Sequence, residues 1–131
     1  MTALALVSAG VAALLHLLFF KLESLDWKKP KTWKTFGLES QAEADTTAAL
    51  AFNQGFYNLF LAVETIVGIV LVAASDTRDT IGWTLIVFAC ASMLAAAVVL
   101  VSSGGKPFAR AAAIQGLPAV VAVISGLIAA T

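Results

Sequence analysis

The sequence predicts an all-α integral membrane protein, an antiparallel up-down bundle of four helices. Of its 131 residues, 60% are apolar and only 12% are charged, whereas about a quarter of the residues of a soluble domain are charged. The chain also contains four apolar stretches of the roughly 20 residues that a helix needs to cross a bilayer. No internal repeat or low-complexity linker divides it, so we expect one domain over residues 1–131.

The four predicted helices cover residues 3–22, 41–74, 81–103 and 110–130. The first is interpreted as a retained span, because no Lys or Arg precedes it and no small-residue cleavage site follows it. The apolar part of the second begins only at Leu50. Ser40 and Glu43, however, have the spacing of a capping box, which predicts a helix start near Gln41, outside the bilayer.

The connections between the helices predict the orientation of the chain. The first and third connections and their edges carry seven basic residues, against Arg78 alone in the middle one. By the positive-inside rule, these two loops are cytoplasmic and both termini lie outside the cell inner (plasma) membrane. In the long polar loop of about residues 25–40, Trp27, Trp33 and Phe36 alternate with lysines. We therefore expect an amphipathic interfacial loop with its rings in the headgroup layer.

The composition also excludes several kinds of site. A net charge of zero provides no basic field to bind nucleic acid. One histidine and one cysteine fall short of the three or four ligands that a zinc site takes, so we expect no metal ion and no cofactor. Cys90, as the single cysteine, cannot form an intramolecular disulfide. The expected partners are membrane lipids or a hydrophobic small molecule, and homo-oligomerisation stays open.

Polar residues at membrane depth are the candidates for function, because an ionisable group near the bilayer centre is costly and is usually retained for a reason. Glu64 is the only ionisable residue between Phe60 and Val72. At about 100° per residue, one side of the second helix carries Glu64 together with Asn53, Gln54, Tyr57 and Asn58. We expect this side to face the bundle interior or a wet cavity.

The first and fourth helices supply further polar groups. His16 and Glu23 fall on one stripe of the first helix, and Gln115 lies in the fourth. The candidate catalytic groups are thus His16, Glu64 and Glu23, and the candidate substrate-binding groups are Asn53, Gln54, Tyr57, Asn58 and Gln115. Structural interpretations stay open, since amides also cross-link membrane helices and Glu23 also fits an interfacial anchor beside Lys21.

Three segments carry a family resemblance: His16-Leu-Leu-Phe-Phe-Lys-Leu-Glu23, Asn53-Gln-Gly-Phe-Tyr-Asn58-Leu-Phe-Leu-Ala-Val-Glu64 and Gln115-Gly-Leu-Pro118-Ala. With them the chain resembles a domain-of-unknown-function family of short bacterial membrane proteins with four helices. The resemblance implies the fold and a polar site at His16, Glu23, Asn53, Gln54, Asn58, Glu64 and Gln115, but no activity. The chain also bears a looser likeness to the emopamil-binding and sterol-isomerase group. The likeness is in the types of residue inside the bundle rather than in their order along the chain, and it is an analogy of fold.

Three functions fit these residues. The first is a membrane-embedded isomerase or epimerase that moves a proton on a lipid-like substrate, with titratable groups in different environments as acid and base. The second is a lipid-binding or structural subunit without turnover. The third is a small proton- or cation-coupled transporter subunit, in which Glu64 carries the ion and the chain must oligomerise to enclose a path.

Overall fold

The computed structural model describes residues 1–74 and 80–131, and the regular secondary structure of these residues is helical, without a strand. The helices are α1 (Thr2–Phe20), α2 (Pro30–Thr35), α3 (Gln41–Ala74), α4 (Thr80–Gly104) and α5 (Ala109–Ala130). A π-helix, Lys21–Leu25, continues α1, and a 3₁₀ turn, Lys106–Phe108, precedes α5. The middle connection with Arg78 lies outside the described residues.

The predicted all-α class with four membrane-length helices is confirmed. The segments long and apolar enough to cross a membrane are Thr2–Leu25, Gln41–Ala74, Thr80–Gly104 and Lys106–Ala130. The orientation of these spans stays a prediction, as does the membrane that holds them.

Helix α3 begins where the spacing of Ser40 and Glu43 predicts. The Glu43 N–H donates to Ser40 Oγ at 3.2 Å, and the Glu43 carboxylate accepts from the Glu39 N–H at 2.8 Å. The return bond thus reaches one residue further back than in a regular capping box. With 34 residues, α3 is about 50 Å long, whereas the hydrocarbon core is about 30 Å thick. Its polar first turns therefore extend beyond the bilayer.

The described chain divides into two compact units, a larger one of residues 1–15 and 61–131 and a smaller one of residues 16–60. The core of the larger unit combines many alanines with a few larger side chains. Its members are Ala5, Ala9, Ala12, Val72, Trp83, Ile86, Cys90, Met93, Ala119 and Ala122. The alanines of α1 recur at spacings of four and three, which places them on one face of that helix. Small side chains allow membrane helices to approach closely.

Glycines bring the helices of the larger unit together at several points. A Cβ atom on Gly116 would lie 3.2 Å from Ala97 Cβ, and one on Gly126 would lie 3.3 Å from a methyl group of Val87. As the chain advances along α5, its neighbours on α4 come from earlier residues. Helices α4 and α5 are therefore antiparallel, as the short connection between them predicts.

In the smaller unit, the loop that follows α1 packs onto the polar first turns of α3. Trp27 Nε1 donates to the Ala44 carbonyl oxygen at 3.1 Å, and Trp33 Nε1 donates to Gln41 Oε1 at 3.2 Å. Trp33 is only 6% exposed. The Trp33 ring thus packs against protein, and the expected placement of the loop in the headgroup layer stays a prediction. The sequence pattern of the loop alone does not reveal that the extended α3 offers acceptors for both indole N–H groups.

Asp26 anchors the start of this loop between two lysines. Its carboxylate accepts from Lys21 Nζ and, at 2.7 Å, from Lys29 Nζ. The hydrogen bond from Lys21, followed by that from Lys29, holds the pKa of the Asp26 carboxyl below its ordinary value of 3.8. A lowered pKa in the folded state contributes stability that is complete above the ordinary value and is lost as the pH falls through the lowered one.

We therefore expect Asp26→Asn to lower the unfolding temperature slightly at neutral pH, because the two ion pairs are surface interactions. The difference from the wild type should shrink as the pH falls below about 4, because the unfolded wild-type chain takes up a proton at Asp26 first, and it should vanish below the lowered pKa of the folded state. Thermal unfolding in detergent, followed by circular dichroism at several pH values, measures this. A difference that does not change with pH would contradict the assignment.

Candidate functional site

The π-helix at the end of α1 aims Glu23 at α3. A π turn holds one more residue than an α turn and is frequent at functional sites. Asn58 Nδ2 donates to Glu23 Oε2 at 2.6 Å, across 35 residues of sequence. Asn58 is buried and Glu23 is half-buried. The structure thus joins two of the predicted site residues directly.

Ser24, the next residue of the π-helix, fixes this segment to α3. Its hydroxyl donates to the Phe52 carbonyl oxygen at 2.8 Å. The approach is close because Gly55 has no side chain: a Cβ atom there would lie 2.1 Å from Ser24 Oγ and 3.0 Å from the Ser24 backbone nitrogen. Glycine at position 55 is therefore a requirement of this contact.

Aromatic rings complete the contact between the end of α1 and α3. Phe20 packs edge-on against Phe56, with ring centroids 5.2 Å apart, and Phe52 lies 5.0 Å from Phe56. Such pairs add to the stabilisation that burial of the rings provides. The polar pair of Glu23 and Asn58 is thus supported by apolar packing on neighbouring turns.

A cleft of about 440 Å³ lies in the smaller unit and has Glu23 in its wall. The apolar part of its lining consists of Leu25, Trp27, Ala48 and Phe52, and the polar part of Glu23, Ser24, Asp26, Lys28 and Lys29. A site with an apolar surface and a few polar groups suits an amphiphilic molecule. Among the described residues, no group of three His, Cys, Asp or Glu side chains could hold a metal ion.

The other predicted site residues of the smaller unit lie in different environments. His16 is fully buried, with its ring 5.4 Å from that of Phe19. Asn53, Gln54 and Tyr57 are exposed. Their exposure differs from the bundle interior, one of the two surroundings expected for this side of the helix. The other, a wet cavity, stays a prediction. The side chains of 53, 54 and 57 point away from the buried stripe that carries Gly55 and Asn58.

Glu64 and Gln115 belong to the larger unit. Glu64 is half-buried. Gln115 Nε2 donates to the Met93 carbonyl oxygen at 3.3 Å, so this amide cross-links α5 and α4. That contact is the structural interpretation that the sequence left open for Gln115.

Ser24, Phe52 and Gly55 were not among the site residues that the sequence predicted. Serine and phenylalanine are common in membrane helices and carry no signal by themselves. The glycine, placed among Asn53, Gln54 and Asn58, was the available clue, because a glycine inside a helix often marks a close approach. The π-helix that sets the direction of Glu23 has no sequence signature.

Four membrane-length helices, with a carboxyl and an amide paired at the end of one span, define a multi-pass α-helical membrane protein with an internal polar contact. The chain belongs to the family described as "Protein of unknown function (DUF1304)", whose model matches residues 10–127. The match includes all three segments that carried the resemblance, so the resemblance to a domain-of-unknown-function family is confirmed. No curated protein and no solved structure matches the chain.

Proposed function

We propose that this protein is a membrane-embedded enzyme that moves a proton on a lipid-like substrate, as an isomerase or epimerase does, with Glu23 as the group that exchanges the proton. The hydrogen bond between Glu23 and Asn58 beside the cleft carries this proposal. It holds a carboxyl group in a fixed direction at the wall of a partly apolar site, which is what a general acid or base requires.

Glu23 is available for such a reaction in a way that the neighbouring carboxylate is not. Asp26 is held by two lysines, whereas Glu23 takes part in none of the ion pairs between described residues. Asn58 occupies Oε2 of Glu23, which leaves Oε1 to exchange a proton with a bound molecule. Asn58 acts in this proposal as a positioning residue.

The proposed proton transfers need no cofactor, because each bond that breaks is matched by one that forms. The Glu23 carboxylate takes a proton from a carbon of the substrate, so a C–H bond breaks and an O–H bond forms. The carboxylic acid then returns a proton to another carbon, or to the other face of the same one. His16 is fully buried and lies outside the cleft lining, so it takes no part in the proposed step. Asn53, Gln54 and Tyr57 also lie outside that lining.

A non-catalytic lipid-binding protein is the second candidate, and the cleft itself favours it. The same lining residues could hold an amphiphile with no bond changed, and the contact between Glu23 and Asn58 would then only join α1 to α3. The two candidates differ in one measurable property. An isomerase or epimerase exchanges carbon-bound hydrogen with water, whereas a binding protein does not.

The test is incorporation of deuterium from solvent. The purified protein, in nanodiscs made with lipids extracted from its host membranes, is incubated in D₂O and the lipids are analysed by mass spectrometry after back-exchange in H₂O. We expect at least one lipid species to gain a deuterium that does not back-exchange. Glu23→Gln should reduce that rate at least about a hundredfold, the scale of general acid–base catalysis.

Glu39→Gln is the matched control, because Glu39 is an exposed glutamate of the same unit outside the cleft, and it should keep the wild-type rate. Asn58→Leu should lower the rate less than Glu23→Gln, because it removes the positioning amide and leaves the carboxyl. If no lipid gains deuterium with the wild-type protein, the enzymatic proposal is wrong and the binding function replaces it.

A further inference from the structure

We infer that the cleft of the smaller unit takes an amphiphile with a zwitterionic head group, one that carries both an ammonium and a phosphate group. This inference rests on the proposed function in one respect only: both require that the molecule bound in the cleft contacts Glu23. The inference comes from the charges of the lining and from how they pair with one another.

Internal pairing removes part of the charge of the cleft. Asp26 lies between Lys21 and Lys29, so its carboxylate and the Lys29 ammonium are already committed. What remains in the lining is one acidic group, Glu23, and one basic group, Lys28. A ligand that matches this remainder needs one positive and one negative group.

Lys28 is only loosely held. Its Nζ lies 3.5 Å from Asp45 Oδ1, and the two side chains are 64% and 51% exposed. Exposed pairs at this distance contribute little to stability, so Lys28 can turn to a phosphate with little loss. Glu23 holds only the neutral amide of Asn58, and its carboxylate can accept hydrogen bonds from an ammonium group.

The position of the cleft fits a lipid that stays in the membrane. It lies at the end of the first span, Thr2–Leu25, where lipid head groups meet the hydrocarbon. Leu25 and Phe52 provide the apolar surface for the first part of the acyl chains. A purely anionic head group would pair with Lys28 but would leave the Glu23 carboxylate with no ammonium group to face it, and a phosphate close to that carboxylate would be repelled.

The test measures binding of two short-chain lipids, dioctanoyl phosphatidylethanolamine and dioctanoyl phosphatidylglycerol, to the protein in mild detergent by native mass spectrometry. We expect the zwitterionic lipid to bind more tightly than the anionic one. Glu23→Gln and Lys28→Gln should each weaken its binding about two- to fivefold, the scale of a partly exposed charge pair. Lys31→Gln, an exposed lysine outside the cleft lining, is the matched control.

Equal or tighter binding of phosphatidylglycerol would overturn the inference, because it would show a general basic surface. An equal loss of binding with Lys31→Gln would overturn the inference for the same reason. Failure of both lipids to bind would also overturn it. The deuterium experiment is read separately. Selective lipid binding without deuterium incorporation would contradict the enzymatic function and support the head-group assignment. Deuterium incorporation without selective binding would support the enzymatic function and contradict the head-group assignment.

Discussion

Replacing Gly82 with alanine is expected to destabilise the protein by about 1–3 kcal/mol, the usual cost of inserting a methyl group into a packed site. A Cβ atom at position 82 would lie 2.7 Å from Val72 Cγ2, 2.9 Å from the Gly68 carbonyl oxygen and 3.0 Å from the Val72 backbone nitrogen. Two of these three atoms are backbone, so rotation of a side chain cannot relieve the clash. Helices α3 and α4 must move apart, and the packing of the core beside them is lost.

The free energy of unfolding in mixed detergent micelles, followed by circular dichroism, measures this effect. Gly10→Ala is the matched control in the same unit, since no heavy atom of the described residues outside the local helix backbone lies within 4 Å of the added methyl group. It should be neutral or stabilise by up to about 1 kcal/mol, because alanine favours a helix over glycine. A Gly82→Ala variant as stable as Gly10→Ala would contradict the close packing of α3 and α4.

The fold was largely predictable because its main features depend on local properties of the chain. The low charge and the four apolar stretches required helices, and the capping residues Ser40 and Glu43 placed the start of α3. What the sequence did not predict depends on tertiary contacts. Trp27 and Trp33 look like interfacial residues when counted within their loop, and only the position of α3 beside them provides the acceptors for their N–H groups.

The candidate site was predictable in its composition but not in its pairing. Glu23 and Asn58 were both candidates, yet the sequence favoured Glu64 as the central carboxyl because of its depth in the span. Regular helix geometry places residues by angle, and a π-helix shifts that angle for every residue after Lys21. Glu23 is one of these, so its direction towards Asn58 could not be derived from the spacing of His16 and Glu23 on an ideal helix.

Gly55 allows the close contact between Ser24 and α3 that positions the Glu23 carboxyl. The Ser24 hydroxyl bonds to the Phe52 carbonyl oxygen over the surface that Gly55 leaves open, and Glu23 precedes Ser24 directly. A shift of the Ser24 backbone away from α3 therefore moves Glu23 as well. The hydrogen bond of 2.6 Å between Asn58 and Glu23 lengthens with such a movement and is lost once the distance passes about 3.5 Å.

Replacing Gly55 with alanine is therefore expected to separate Glu23 from Asn58 and to lower the proposed deuterium exchange as strongly as Asn58→Leu does. The methyl group would lie 2.1 Å from Ser24 Oγ, 3.0 Å from the Ser24 backbone nitrogen and 3.1 Å from Ser24 Cβ. Rotation of the hydroxyl alone does not relieve all three contacts, so the Ser24 backbone must shift. The side-chain amide resonances of Asn58, observed by NMR in ¹⁵N-labelled protein, report the loss of the hydrogen bond directly. This readout does not depend on the protein being an enzyme.

The double variant Ser24→Gly/Gly55→Ala separates displacement from general destabilisation. It removes the two side-chain atoms that the new methyl group would meet and leaves only the backbone nitrogen at 3.0 Å. We expect the Asn58 resonances to return most of the way to their wild-type positions, which is a coupling between neighbouring residues that a double-mutant cycle detects. If Gly55→Ala leaves these resonances unchanged, the close contact does not position Glu23. If the double variant fails to restore them while remaining folded, the clash with Ser24 is not the cause of the shift.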